Sequence, residues 1–267
     1  MRAMDALFCE FLKLRRSVIT RVSFAAWTAA LFFIAFFMWM VMNPGAAATF
    51  GLMGDKASFT FGGEGKDWAG YLHVSLMLGA VLGVLFSAII IAWVFGREYV
   101  EGTAKNFLAL PIGRWTFVAA KIAVAATWFA ALVLLTVAGT WVGGKLLDLP
   151  GWSPALYRLA MGRLLLISLM AFLVSLPVAW IAEATRGYFG PLGYAIGTMF
   201  VANFFSHTGW APWCPWTIVL LASGPGFDPA AQATPIVGTG STLVVAATAV
   251  LGIVLAILHV ERADNAQ

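Results

Sequence analysis

VSFAAWTAALFFIAFFMWMVM, residues 22–42, is a run of 21 positions without one charged side chain. As a helix rising about 1.5 Å per residue it is about as long as a bilayer's hydrocarbon core is thick, roughly 30 Å. Basic residues precede the run and Gly45-Ala46-Ala47-Ala48 follows it, as in a secretory leader. A leader's apolar stretch is only about 7–15 residues, so the length predicts a retained span rather than a cleaved peptide. Asn43-Pro44-Gly45 ends it.

Outward from that run, the same reading repeats. Apolar stretches predict further spans at about 71–95, 115–142, 161–182, 189–206 and 236–260, with Pro177 near the end of the fourth. Residues 43–70 read as a polar, Gly-rich loop, and 143–160 as a loop with room for a short surface helix. Glu183 to Tyr188 reads as a tight polar turn. Residues 211–223 are apolar but only 13 long, and Pro212, Pro215 and Gly224 punctuate them. That is too short to cross, which predicts a re-entrant or surface-lying element. Before the first span, Met4, Leu7, Phe8, Phe11 and Leu12 recur at helical spacing, with Arg2, Asp5, Glu10, Lys13 and Arg16 on the other side. This predicts an amphipathic helix lying in the membrane interface.

Composition agrees. Of 267 residues 61% are hydrophobic and 10% charged, against about 25% charged in a soluble domain. The expected architecture is an all-α membrane protein of six transmembrane helices forming one domain, 1–267. The net charge of +4 comes from basic residues between apolar spans, which topology explains better than nucleic-acid binding. With six spans and an inside N-terminus, eleven of the sixteen Lys and Arg fall on the inner side. Only Lys56, Lys66, Lys145, Arg158 and Arg163 fall outside. The positive-inside rule then puts both termini in the cytoplasm. Lys121, just inside the third span, is expected to snorkel to the interface. Pairs Gly79/Gly83, Gly139/Gly143 and Gly193/Gly197 have the spacing of close helix contacts.

Catalytic signals are weak. HExxH, GxSxG and EF-hand patterns do not occur. Gly139 to Lys145 imitates the start of a P-loop, but Leu146 follows the lysine and no strand precedes it. Cys9 and Cys214 fall near opposite faces and do not read as a pair. His73, His207 and His259 read as interfacial tips, and no metal site is predicted. No span centre carries Asp or Glu, which argues against an ion-coupled carrier. If the chain transports, its energy comes from elsewhere. That directs attention to the inner segment REYVEGTAKNFLALPIGRWTFVAAK, residues 97–121. Glu98 to Glu101 continues the second span, Gly102-Thr103 breaks it with Thr103 a candidate N-cap, and 104–110 forms a short amphipathic piece stopped by Pro111. Such a knob suits docking to a groove on another protein.

This run resembles the signature E..EGT.K.LLALP..R..F...K of ABC-2-type permeases. CEFLKLRRS (9–17), PWCPWTIVLLASG (212–224) and HVERAD (259–264) resemble that family's opening, outer and closing segments, in the family's order. The overall look is nearest its bacitracin- and lantibiotic-immunity-like members. The resemblance implies that residues 98–111 include a coupling helix seated on an ATPase subunit. Glu98, Glu101, Gly102, Thr103 and Lys105 would form the turn, Phe107, Leu108 and Pro111 would press into the ATPase, and Arg114 would anchor the third span. It further implies two ATP-binding subunits holding ATP and Mg, a second permease (identical or a paralogue), and a bacterial cytoplasmic membrane. This chain would have no cofactor or catalytic residue of its own, and its substrate would be an amphipathic peptide, drug or lipid-like molecule. Trp210, Trp213 and Trp216 would meet that substrate in the outer leaflet or serve as an aromatic belt. The alternative is a membrane-embedded enzyme or assembly factor without an ATPase, for which Glu64, Asp67 and His73 would have to gather round a ligand.

Overall fold

A computed structural model describes residues 3–43, 45, 49, 65–103, 113–224, 227 and 237–264. Among these the chain is helical, with no strand. Helix α1 (Ala3–Arg16) ends on Lys13, Arg15 and Arg16, cations that suit the negative end of a helix dipole. Ser17 then turns the chain into α2 (Val18–Met42), its hydroxyl accepting from the Ile19 amide at 3.1 Å. Helix α3 (Trp68–Val100) starts at Asp67, whose carboxylate accepts from the Gly70 amide at 2.9 Å. Helices α4 (Arg114–Leu146), α5 (Pro154–Ser175), α6 (Pro177–Ala184), α7 (Phe189–Ser206), α8 (Pro215–Leu221) and α9 (Thr239–Asp264) follow. A 3-10 turn, Ala211–Trp213, leads into α8.

Among the described residues, five segments are long and apolar enough to cross a membrane: Val18–Met42, Trp68–Val100, Trp115–Leu146, Pro154–Ala184 and Thr239–Glu261. The fifth expected span, α7, has 18 residues, about 27 Å, and falls outside that set. Several expected boundaries move. Residues 143–146 continue α4, and 154–160 are the first turns of α5. The expected 143–160 loop is therefore only 147–153, with no separate surface helix. Pro177 lacks the amide an unbroken helix needs, so it splits the fourth span into α5 and α6. The expected turn 183–188 begins two residues late, because Glu183 and Ala184 are still helical. Helix α8 packs among α7, α3, α5 and α9, with Ile218 fully buried and the Thr217 hydroxyl donating to the Ala202 carbonyl at 3.1 Å.

Helix α3 is the axle, packing against α5, α4, α6 and α7, whereas α2 and α9 lie outermost. Polar bonds between helices replace the hydrophobic drive that lipid cannot supply. Trp27 Nε1 donates to Thr136 Oγ1 at 2.8 Å, Trp128 Nε1 to Ser23 Oγ at 3.0 Å, and the Ser87 and Ser175 hydroxyls pair at 2.8 Å. Two of the three glycine pairs are contact faces. A Cβ on Gly79 would lie 3.2 Å from Leu164, one on Gly83 3.3 Å from Ala171, one on Gly139 2.8 Å from Leu31, and one on Gly143 would run into the Tyr71 hydroxyl. Gly193 and Gly197 face open space. The P-loop imitation is helical, and Lys145 stacks 4.6 Å over Trp152.

Candidate coupling site

One end of the bundle carries the ends of α1, α3, α4 and α6 together with residues 101–103 and 113. Helix α3 stops there through a left-handed cap. Gly102 has φ +69°, its amide donates to the Tyr99 carbonyl at 3.3 Å, and the Thr103 amide donates to the Glu98 carbonyl at 2.9 Å. Glycine suits this position because an L side chain is disfavoured in that backbone region. Thr103 therefore closes α3, and any capping of the next piece falls outside the described residues. Glu101 and Gly102 are exposed and Thr103 half-buried.

Glu98, three residues before the exposed turn, is buried. Its Oε2 pairs with Lys121 Nζ at 2.8 Å and its Oε1 with Lys13 Nζ at 3.2 Å. Lys13 also meets Glu10 Oε1 at 2.6 Å, and Glu10 Oε2 takes Arg97 Nη2 at 2.9 Å. Five charged side chains thus form one chain of ion pairs linking α1, α3 and α4. Lys121 does not snorkel. It is 1% exposed, donates to the Val94 carbonyl at 2.7 Å, and sits 4.7 Å from the Phe117 ring centre. Leaving the chain would put its charge into hydrocarbon, so the ion pair holds it inside. Arg97 stacks 4.8 Å over Trp93. Glu183 on α6 completes the group. It too is buried, with Oε2 lacking any hydrogen-bond partner among the described residues, rather than lying in a solvated turn. Alongside, the 185–188 turn presses on α3: a Cβ on Gly96 would stand 3.0 Å from both the Gly187 carbonyl and the Tyr188 ring. Burial raises the Tyr188 phenol pKa, Glu101 adding to the effect and Arg97 opposing it.

Of the residues singled out by sequence, Glu98, Glu101, Gly102 and Thr103 gather at this end. Arg114 begins α4. Lys105, Phe107, Leu108 and Pro111 lie outside the described residues. Glu10, Lys13, Arg97, Lys121 and Glu183 were not assigned to the site by sequence. The available signal was opposite charges on adjoining helix ends, as with Glu98 and Lys121. Elsewhere, Trp210 and Trp213 are exposed, at 68% and 60%, whereas Trp216 turns inward against Tyr194 with ring centres 6.0 Å apart. Trp216 helps line a cavity of about 500 Å³ between α3, α7 and α8, with Val84, Met199, Asn203 and Leu220 among its walls. His73 is not an interfacial tip: it is buried, with Nε2 2.9 Å from the Gly224 carbonyl. Asp67 caps α3 and Glu64 lies outside the described residues. Among those residues, no three His, Cys, Asp or Glu side chains cluster as metal ligands. Cys9 and Cys214 are both free.

A family model described as "ABC-2 family transporter protein" matches residues 6–203. The chain belongs to that family. The match runs from α1 into α7 and so includes the charged end. A bacitracin transport permease protein of Bacillus licheniformis is 25% identical over 195 residues, which is 73% of this chain and 91% of that protein. As an ABC-2 chain with several membrane-crossing helices, the molecule is a multi-pass transmembrane transporter subunit and not itself an enzyme. Membership implies partnership with an ATP-binding subunit.

Proposed function

We propose that the chain is the permease subunit of an ATP-driven exporter, and that the charged end of the bundle is where the ATPase's work enters. The carrying observation is the ion-pair chain that runs Arg97–Glu10–Lys13–Glu98–Lys121, in which Glu98 lies three residues before the exposed Glu101-Gly102 turn. A push on residues 101–113 reaches α1, α3 and α4 together, because buried charges resist separation. Glu98 acts inside this relay, while Glu101, Gly102, Lys105, Phe107, Leu108 and Pro111 carry the contact with the partner. Two ATP-binding subunits supply ATP and Mg chemistry, and a second permease, identical or a paralogue, completes the pathway. Helix α7 is the sixth span and α8 a re-entrant piece, which leaves both termini in the cytoplasm of a bacterial inner membrane and makes 1–267 one domain.

The substrate class is an amphipathic peptide, drug or lipid-like molecule. Supporting this are the bacitracin permease relative and the apolar cavity beside Trp216. Exposed Trp210 and Trp213 would meet that substrate at the outer surface or anchor the interface. The test is transport in proteoliposomes with the cognate ATPase. Glu101→Arg and Phe107→Asp are each expected to cut ATP-driven transport at least about ten-fold, roughly 1.4 kcal/mol of coupling, with membrane insertion unchanged. Normal transport by both variants refutes the coupling role.

A further inference from the structure

The elbow between α1 and α2 separates its cations into two groups. Lys13 is committed to Glu10 and Glu98. Arg15, Arg16 and Arg21 are exposed, and among the described residues they have neither an ion pair nor a hydrogen bond. Glu10, the one carboxylate of α1 whose side chain is described, is already used by Arg97 and Lys13. Around these arginines the surface is apolar: Phe8 and Val18 are each 65% exposed, and Leu12, Ile19 and Val22 are exposed as well.

Depth explains why this matters. Arg21 stands nine residues from the middle of α2, about 13–14 Å at about 1.5 Å per residue. Half the hydrocarbon core is about 15 Å, so with α2 centred in the bilayer Arg21 falls where hydrocarbon meets headgroups. Below it the outward face continues through Val22, the small Ala25 and Ala29, then Phe32 and Phe33. The exposed alanines put less bulk on this face than Val22 and the two phenylalanines do, and the stretch from Val22 to Phe32 is about 15 Å, one leaflet, long. An unpaired arginine at this depth needs an anion, and an acyl chain needs an apolar surface beneath its phosphate.

We infer that the α1–α2 elbow is a binding site for an acidic phospholipid. Arg15, Arg16 and Arg21 hold the phosphate, and one acyl chain lies along Val22, Ala25, Ala29 and Phe32. The lipid comes from the leaflet on the side of Glu101 and Gly102. The site needs only that α2 crosses the membrane, so it stands or falls separately from the ATPase reading.

The test is lipid retention by the purified full-length protein in nanodiscs of equal phosphatidylglycerol and phosphatidylcholine, read by native mass spectrometry. The wild type is expected to enrich phosphatidylglycerol. Each arginine-to-glutamine change is expected to lower that preference about five-fold, and Arg15→Gln/Arg16→Gln/Arg21→Gln to abolish it. Arg21→Lys should restore most of the loss, and Arg158→Gln, an exposed arginine beyond the far end of α4, should leave the preference intact. Inorganic phosphate should not displace the lipid. If the triple variant does not fold, Arg21→Gln alone carries the comparison. Equal retention of both lipids by the wild type, an unchanged preference in the folded variants, or displacement by free phosphate overturns the proposal.

Discussion

Glu10 shows how much a single carboxylate can hold at the edge of a membrane. It is 3% exposed on a helix whose neighbouring Phe8 is turned outward, and it bonds both Arg97 and Lys13. Removing one partner of a buried pair leaves the other charge uncompensated, at a cost of about 3–5 kcal/mol. Glu10→Gln should therefore lower the melting temperature of the purified protein clearly. Adding Arg97→Met removes the stranded charge and should recover at least half of the loss. A melting curve unmoved by Glu10→Gln would mean the pair carries no stability. Glu183 predicts the opposite sign. Its Oε2 is buried without a partner among the described residues, so Glu183→Gln keeps the shape and removes a carboxyl whose charged form burial disfavours. Its melting temperature should equal or exceed the wild type's, and a fall comparable to that of Glu10→Gln would reveal a hidden role for the carboxylate.

Among the elements, glycine faces separate contact from open surface. Gly143 and Gly144 on α4 leave room for Tyr71 and Trp68 of α3: a Cβ on Gly143 would run into the Tyr71 hydroxyl, and one on Gly144 into the Trp68 ring. Gly144→Leu should destabilise by about 1–3 kcal/mol or more, by overpacking. Gly193→Leu on α7 meets nothing within 4 Å and should leave the melting temperature of the isolated chain unchanged within about 0.5 kcal/mol. Helix existence was legible in the sequence because lipid demands long apolar runs, so the span at 22–42 and the helix at 189–206 read nearly as they stand. Ends were less legible. Helices α3 and α4 run to 33 residues each, past the hydrocarbon, where polar residues continue a helix but look like loop. The charged end was half legible: Glu98 and the Gly102 turn could be named from the run 97–121. Pairing of Glu10 with Arg97, 87 positions apart, depends on where α1 folds back, which no local pattern encodes. Lys121 and Glu183 were misread because a charge near a span end resembles an interfacial one until its partner is known.

For the whole molecule, the sharpest test is sidedness. Cys9 is exposed on α1 and Cys214 is buried next to α8. A membrane-impermeant maleimide should label Cys9 in inverted vesicles and not in intact cells stripped of their outer layer, while Cys214 stays unlabelled in both. Labelling of Cys9 from outside would reverse the proposed orientation. The break at Pro177 has a further consequence for how the bundle deforms. The backbone of Gly252 in α9 lies directly on it, so that a Cβ there would come 2.5 Å from the Pro177 nitrogen. Nothing soft separates the two rods at that point. A swing of the short rod 177–184, which carries Glu183, must drag the final rod with it, so the carboxyl-terminal arm works as a tiller: a weight fixed to its tip loads the same pivot that the charged end would have to turn.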